Sequence, residues 1–381
     1  MSGTAFANLR RRLAVPEQDF AGVGRGCHIY GAGGFGRRIA RELVRRDVPV
    51  LGFVDRTGRE RSTVDGLPCR HPDDLGDAEI EGSAYVHGLM NHYVPSRSIA
   101  EWAIARGFAQ VLFPTDLYTI PGFSLDNYWL APPAATLDRL DDIEALHDRL
   151  GDAESQALLL ALLDYRLSTD PRRHPELCAS DAYVPAFLPI FNQPITFVDG
   201  GAYTGDTLET LLAHDVSVYD WIAFEPDERN MAALVETARR HRTTLGRYTL
   251  IKAGLSDANE TVQFTDGDGE ASRVLGSQDF VAASTSTTDI QVVRLDDAVS
   301  CTGDVYVKLD IEGAERDALQ GMAELLARRP TIAVSVYHRP SDLWDIPRII
   351  ASLYDRPHFR LRQHGHHGFD TVVYVMPDEP K

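Results

Sequence analysis

The chain has 381 residues, of which 44% are hydrophobic and 25% are charged. At roughly 100–200 residues per domain, this length predicts two or three domains, and the composition is that of a globular protein that buries sizeable cores. The formal net charge of −18 would repel a phosphate backbone and anionic lipid headgroups. We therefore expect no binding to nucleic acid or to membranes.

Four cysteines stand at positions 27, 69, 178 and 301, too far apart for a CxxC pair and too few for a disulfide framework. The amino terminus lacks the charged-then-apolar order of a secretion signal. The longest apolar run covers residues 157–163 and is much shorter than the roughly 20 residues that span a bilayer. These features predict a cytoplasmic location.

Glycine-rich strand-to-helix turns at residues 31–36 and 200–205 each open a series of alternating strand and helix patterns. The first series lies in a domain predicted over residues 1–120. It has strands at 27–31, 49–55, 84–88 and 110–113 and helices at 35–46 and 98–106. Because helices separate the strands, the sheet should be parallel.

Residues 121–193 are predicted to form a helical connector, in which a leucine-rich helix at 153–166 ends before Asp170 and Pro171. A second α/β domain follows over residues 194–381. Its strands should end at Asp199, Glu225, Gly254, Asp310, Tyr337 and about Gln363, with a last strand at 371–376. The turn before that last strand is too short for a crossover helix, so the strand must run antiparallel to its neighbour.

The second glycine turn follows an aspartate, in the order Asp199, Gly200, Gly201 and then Gly205. Glycine lets the backbone turn sharply and lets a ligand approach it closely. Glu225 ends the next strand about 25 residues later, where a carboxylate can accept hydrogen bonds from the ribose hydroxyls of an adenosine-containing cofactor. An acid directly before the glycines suits a cationic sulfonium ligand better than a pyrophosphate. The alternative is an ordinary tight turn followed by a solvated strand end.

The strand predicted to end at Asp310 carries Lys308 and Asp310 on one face, because side chains two positions apart in a strand share a face. A charged pair in a buried central strand is costly unless it is satisfied or used in chemistry. One interpretation of the chain is a non-enzymatic nucleotide-binding scaffold. The charged pair argues against this interpretation.

Five sequence segments together resemble the FkbM-type S-adenosylmethionine-dependent methyltransferases. They are FVDGGAYTGD at 197–206, FEPD at 224–227, GLSD at 254–257, VKLDIEGAE at 307–315 and the final RQH…DTVVY at 362–374. The resemblance extends over residues 150–377, and DIEGAE is its most specific part. It implies a Rossmann-like methyltransferase domain, with a seven-stranded sheet whose last strand is antiparallel, preceded by a smaller Rossmann-like α/β domain.

The resemblance also implies S-adenosylmethionine as the cofactor and in-line methyl transfer, in this family mostly to hydroxyl groups of sugars and secondary metabolites. Carried over by position, the methionine part of the cofactor would contact Asp199, Gly200, Gly201 and Gly205, its ribose Glu225, and its adenine Ser256 and Asp257. Asp310 would lie beside the reacting methyl group, with Lys308 next to it. The segment 265–287 is less regular than the rest of the domain.

The expected partner is a small-molecule acceptor, which is a sugar, a nucleotide-linked sugar or a secondary metabolite. The sequence is also compatible with a homo-oligomer.

His338 follows the end of a parallel strand, at the sheet edge where open α/β folds bind their ligands. It is our first candidate for the base that removes the acceptor's proton, and the alternatives are a helix cap or a substrate contact. For His364, His366 and His367 in the last hairpin we expect a solvated turn. No metal is expected, although a site formed by Asp310, His338 and a hairpin histidine is an alternative.

The turn in the first domain contains the pattern GxGxxG at Gly31, Gly33 and Gly36, and Asp55 ends the next strand about 20 residues later. A nicotinamide-dependent oxidoreductase is therefore the second candidate function. No catalytic acid/base set follows this turn, and the stretch is similar to small nucleotide-binding domains attached to sugar-modifying enzymes. Binding of a nucleotide-linked substrate, binding of a regulatory nucleotide and a purely structural role remain open.

Overall fold

A computed structural model describes residues 2–11, 25–266 and 286–377. Residue contacts divide the chain into two compact units. The first unit comprises Met1–Ala145, Ala157–Leu177 and Gly365–Phe369, and the second comprises Leu146–Gln156, Cys178–His364 and Asp370–Lys381. The sequence analysis expected three consecutive segments, 1–120, 121–193 and 194–381. The observed units alternate along the chain instead, because residues 365–369 pack among residues that precede position 178.

The first unit is built on a six-stranded sheet with the strand order β3-β4-β2-β1-β5-β6. Its strands are β1 (Cys27–Tyr30), β2 (Val50–Val54), β3 (Thr63–Val64), β4 (Leu67–Arg70), β5 (Ala84–His87) and β6 (Gln110–Leu112). Every neighbouring pair is parallel except β3 with β4. The parallel sheet predicted from the alternating pattern is confirmed, and it also contains the short strands β3 and β4, for which no strand was predicted.

Seven α-helices lie within the described residues up to Ser168, and most of them bury apolar side chains. They are α1 (Ser2–Arg11), α2 (Gly34–Val44), α3 (Asp77–Ile80), α4 (Arg97–Ala105), α5 (Pro133–Leu137), α6 (Leu140–His147) and α7 (Ala153–Ser168). In α2, for example, Phe35, Ile39 and Leu43 are buried at helical spacing. The leucine-rich helix predicted at 153–166 is present as α7, and it ends just before Asp170 and Pro171.

The glycine turn of the first unit is held by Asp55. One carboxylate oxygen, Oδ2, accepts a 2.8 Å hydrogen bond from the backbone N–H of Ala32, and Oδ1 accepts bonds from the N–H and hydroxyl of Thr57. Gly31 has a φ of +107°, and a side chain at Gly36 would overlap with the Gly31 carbonyl. These contacts favour a structural role for Asp55 in closing the turn.

A buried chain of five polar side chains crosses the first unit. It runs through Tyr85, His87, Ser96, His367 and Tyr165, with successive donor–acceptor distances of 2.7, 3.1, 3.1 and 2.9 Å. His367 is only 3% exposed, so the solvated turn expected for the hairpin histidines is wrong for this residue. Burial lowers the pKa of His87 and of His367 to about 3. Both imidazoles are therefore neutral at physiological pH.

These two histidines predict a loss of stability in acid. In the unfolded chain a histidine binds a proton below about pH 6.5, whereas His87 and His367 stay neutral in the folded protein down to about pH 3. The unfolded state thus binds more protons, and each histidine lowers the free energy of unfolding by about 1.4 kcal/mol per pH unit as the pH falls below 6.5.

We expect His367→Gln to reduce this slope by about one proton, measured by urea unfolding at pH values between 4 and 7. The control is His71→Gln, because His71 lies in the same unit with a more exposed side chain. Identical slopes for the wild type and His367→Gln would contradict the prediction.

The second unit contains a seven-stranded sheet with the order β15-β16-β14-β13-β7-β8-β9. Its strands are β7 (Ile195–Gly200), β8 (Val218–Phe224), β9 (Arg247–Ile251), β13 (Asp304–Leu309), β14 (Thr331–Ser335), β15 (Pro357–Gln363) and β16 (Thr371–Pro377). Only β16 runs antiparallel, between β14 and β15. The predicted sheet with an antiparallel last strand is confirmed.

Helices and a small sheet complete the described part of the second unit. The helices are α8 (Asp206–Ala213), α9 (Glu228–His241), α10 (Leu295–Ala298), α11 (Glu315–Gln320), α12 (Ala323–Ala327) and α13 (Asp342–Leu353). The small sheet contains β10 (Gly254–Leu255), β11 (Glu260–Asp266) and β12 (Ser286–Val293). Most of the segment 265–287, which the sequence marks as irregular, lies outside the described residues.

Large buried side chains fill the centre of the second unit on one side of its sheet. Phe197, Trp221, Tyr306 and Tyr374 belong to one apolar cluster and are each fully buried. This cluster fixes the positions of the strands whose carboxyl ends carry the candidate site residues. Across residues 2–11, 25–266 and 286–377, none of the helices has the length and apolar character needed to cross a membrane.

Candidate active site

A cavity of about 370 Å³ lies in the second unit, at the carboxyl ends of the parallel strands. This is the edge at which open α/β sheets bind their ligands. The described lining residues lie at or after the ends of β7, β8 and β13, in β10 and β12, and at Tyr183. Its charged lining residues are Asp206, Glu225, Asp227, Lys308, Asp310 and Glu312.

A buried ion pair joins the two strands beneath this cavity. Lys308 on β13 is paired in register with Asp199 on β7, and its Nζ lies 3.4 Å from Asp199 Oδ1. Burial favours the neutral lysine, but the carboxylates of Asp199 and Asp310 outweigh this and raise the pKa of Lys308. Nζ also donates to the carbonyls of Gly200 and Gly201, at 3.1 and 2.5 Å. Lys308 therefore holds the glycine turn in place.

The turn itself cannot accept side chains at two of its glycines. Gly201 has a φ of +70°, and a Cβ there would overlap with the backbone carbonyl of Asp310. Gly205 has a φ of +90°, and a Cβ there would crowd Thr237 on α9. Close contact between the turn and β13 thus requires glycine, and this contact brings Asp310 to the edge of the cavity.

Glu225 follows β8 and lines the cavity with a carboxylate that is already oriented. Its Oε2 accepts a 2.9 Å hydrogen bond from the backbone N–H of Tyr203, and its Oε1 accepts one of the same length from the backbone N–H of Asp227. The residue is 6% exposed, and burial raises its pKa. Glu225 is thus a fixed, largely buried acceptor on the cavity, and its contact with a ribose stays a prediction.

Asp310 lines the cavity after the end of β13 and is surrounded by donors. Tyr183 donates its hydroxyl to Oδ2 at 2.8 Å, and Tyr337 donates to Oδ1 at 3.4 Å. Burial raises the pKa of a carboxyl, but His338, Lys308 and the Tyr183 hydroxyl outweigh it and hold the pKa of Asp310 below its usual value. Asp310 is thus an ionised, oriented hydrogen-bond acceptor.

His338 follows β14 and has carboxylates at both ring nitrogens. Nδ1 lies 2.9 Å from Glu315 Oε1, and Nε2 lies 3.3 Å from Asp310 Oδ1 and 3.6 Å from Glu312 Oε2. Burial favours the neutral ring, but the three carboxylates outweigh it and raise the pKa of His338 to about 10. A protonated imidazole cannot accept a proton, so this environment argues against the base role expected from the sequence.

Sequence reasoning missed Glu312 and Tyr183, both of which line the cavity. Glu312 has a φ of +55°, and its side chain is 42% exposed. Partial removal from water, together with Asp310 and Glu315, raises the pKa of Glu312 to about 7. Glu312 lies within the DIEGAE segment, so the motif contained a signal for it, whereas Tyr183 is brought in from far along the chain.

Ser256 and Asp257 are not among the residues that line the cavity. They follow β10, where Asp257 is exposed and the Ser256 hydroxyl donates to the Asp257 carboxylate at 3.4 Å. The neighbouring Gly254 and Leu255 do line the cavity, so the predicted adenine contacts fall one or two residues beyond it.

Two matched glycines test the turn. Gly201 and Gly303 have φ values of +70° and +73°, but a Cβ at Gly303 would meet nothing within 4 Å. Alanine in this conformation costs about 1–2 kcal/mol at either site. We expect Gly201→Ala to lower the free energy of unfolding by about 2 kcal/mol more than Gly303→Ala, because it also pushes on the Asp310 backbone. Denaturant unfolding measures both losses, and equal losses would show that the turn tolerates a side chain.

Comparisons with known proteins bear on the fold and on the domain that contains this cavity. Residues 199–367 match the family model of the methyltransferase FkbM domain. The fold is similar to the crystal structure of Methyltransferase FkbM from Methylobacillus flagellatus KT, with a TM-score of 0.78 and 22% identity over 98% of this chain and 99% of that one. None of the curated proteins matches the chain.

The solved structure, at this level of identity, supports the fold, and the family model identifies the domain. Both the resemblance to the FkbM-type methyltransferases and the predicted fold class, a Rossmann-like methyltransferase domain preceded by a smaller α/β domain, are therefore confirmed. Residues 199–367 match the methyltransferase FkbM domain, and this match supports a methyltransferase.

Proposed function

We propose that the second unit transfers a methyl group from S-adenosylmethionine to a hydroxyl oxygen of a small molecule. The observation that carries this proposal is that Glu225 and Asp310 line the same cavity. The glycine turn at residues 200–205 contributes to the lining of that cavity as well. The cavity volume of about 370 Å³ falls within the range of roughly 300–1,000 Å³ of small-molecule sites.

The residues of the cavity suit the cofactor in charge and shape. Glu225 would accept hydrogen bonds from the ribose hydroxyls through lone pairs that Tyr203 and Asp227 leave available. Leu255 and Ile290 give the cavity apolar surface that fits an adenine ring. The ammonium and sulfonium charges would lie near the turn, where Asp206 adds a carboxylate.

S-adenosylmethionine supplies an electrophilic methyl group on a positively charged sulfur. The acceptor oxygen would bond to the methyl carbon as the carbon–sulfur bond breaks, the electron pair of that bond would go to sulfur, and the acceptor's proton would pass to the Asp310 carboxylate and from there to water. Asp310 would accept a hydrogen bond from the acceptor hydroxyl and turn its lone pair toward the methyl group. Positioning of this kind can contribute about 7–11 kcal/mol to lowering the barrier.

The acceptor class proposed from the family resemblance is a sugar, a nucleotide-linked sugar or a secondary metabolite. Polar walls at Tyr183, Asp310 and Glu312 support a hydroxyl-bearing acceptor, because each can exchange a hydrogen bond with it. Methyl transfer to candidate acceptors is measured with isotopically labelled methyl groups.

Glu225→Gln tests the cofactor site directly. We expect it to weaken binding of S-adenosylmethionine by about ten- to a hundred-fold, because a charge-assisted hydrogen bond contributes about 1.5–3 kcal/mol. Calorimetric titration of the full chain measures the affinity.

The matched control is Glu228→Gln. It removes the same charge three positions away in the sequence, at an exposed residue that is paired with Lys252. If the wild type does not bind S-adenosylmethionine, the cofactor proposal fails. If Glu225→Gln and Glu228→Gln bind equally well, Glu225 is not part of the site.

A further inference from the structure

A histidine and three carboxylates form a cluster beside the cavity, and the proposed methyl transfer assigns a step only to Asp310. The cluster consists of Asp310, Glu312, Glu315 and His338. One ligand atom each from Asp310, Glu315 and His338 lies within 4.8 Å of the other two. Asp310 and Glu312 also line the cavity, so the cluster is accessible from it.

Two carboxylate oxygens flank the side of the imidazole that carries Nε2. Nε2 lies 3.3 Å from Asp310 Oδ1 and 3.6 Å from Glu312 Oε2. Ligands about 2.1 Å from a metal ion are separated from each other by roughly 3–3.5 Å, so an ion that displaces the Nε2 proton would bind all three atoms after rotation of the Asp310 and Glu312 side chains.

Glu315 completes this arrangement from the opposite side of the ring. Its Oε1 lies 2.9 Å from His338 Nδ1 and accepts hydrogen bonds from the backbone N–H groups of Ile311 and Gly313. A histidine that binds a metal usually donates its other N–H to a carboxylate, which fixes the tautomer and the ring orientation. Glu315 is placed to keep the proton on Nδ1, which leaves the lone pair of Nε2 for a metal ion.

A second observation also points to a bound cation. Glu315 is 1% exposed, and among the described residues its Oε2 has no hydrogen-bond partner. A buried carboxylate oxygen without such a partner is stabilised by a cation.

We propose that His338 Nε2, Asp310 and Glu312 bind a divalent metal ion, with Glu315 positioning the imidazole through Nδ1. One imidazole and two carboxylates form a ligand set that suits first-row divalent ions such as Mn²⁺ and Zn²⁺. The open side of the site faces the cavity, which leaves coordination positions for water or for an oxygen of a bound molecule. The hairpin histidines are not part of this site.

The test is titration of the full chain with Mn²⁺ after dialysis against a chelator, without S-adenosylmethionine and at pH 8, because protons compete with metal ions for histidine. Electron paramagnetic resonance counts the bound ions, and we expect one per chain. Asp310→Asn and Glu312→Gln should each weaken binding at least ten-fold. Glu315→Gln should weaken it by about ten- to a hundred-fold through the orientation of the ring.

The control is Asp206→Asn, which removes a carboxylate from the same cavity but none of the proposed ligands. It should leave Mn²⁺ affinity within about three-fold of the wild type, as expected for a general charge effect screened by solvent. Because Glu312 is 42% exposed, Glu312→Gln should fold even if a buried variant does not. Circular dichroism checks the folding of each variant.

Two results would overturn the proposal. One is a wild-type chain that binds neither Mn²⁺ nor Zn²⁺ stoichiometrically. The other is an equal loss of affinity in Asp206→Asn and Glu312→Gln, which would mean that ions only accumulate near negative charge. Since the titration contains no S-adenosylmethionine, either result leaves the proposed methyl transfer to be judged by its own experiment.

Discussion

The ion pair between Lys308 and Asp199 holds together the edge of the sheet on which the site depends. Both side chains are buried, and the ammonium group also binds the carbonyls of Gly200 and Gly201. A buried charge is stable only when its partner and its hydrogen bonds are all in place. The position of the glycine turn, and through it that of Asp310, is therefore fixed by electrostatics as well as by packing.

Negative charge is the common property of the groups around the cavity. Among the described residues that line it, Lys308 is the one cationic side chain, and the acids are Asp206, Glu225, Asp227, Asp310 and Glu312. Such a surface disfavours anionic ligands and attracts cationic ones. The sulfonium and ammonium groups of the proposed cofactor and a divalent ion at His338 are two ways of balancing this charge in different parts of one cavity.

His338 illustrates how far a position in sequence can determine a role. Its place after a parallel strand correctly predicts that it lies at the carboxyl edge of the sheet. The pKa of the ring depends instead on Glu312, Glu315 and Asp310, which raise it to about 10 against the effect of burial. Sequence position therefore located the residue, whereas the surrounding charges decide whether it can act as a base.

The sequence by itself determined the two α/β folds, the antiparallel last strand, the glycine turns and the strand ends at Glu225 and Asp310. These features follow from local hydrophobic periodicity and from backbone requirements that only glycine meets. Tertiary structure alone decided that Tyr183 joins the cavity, that Ser256 and Asp257 lie outside its lining, and that His367 is buried in the first unit. Such contacts join residues far apart in the chain, and their geometry depends on packing and long-range electrostatics, which no local pattern records.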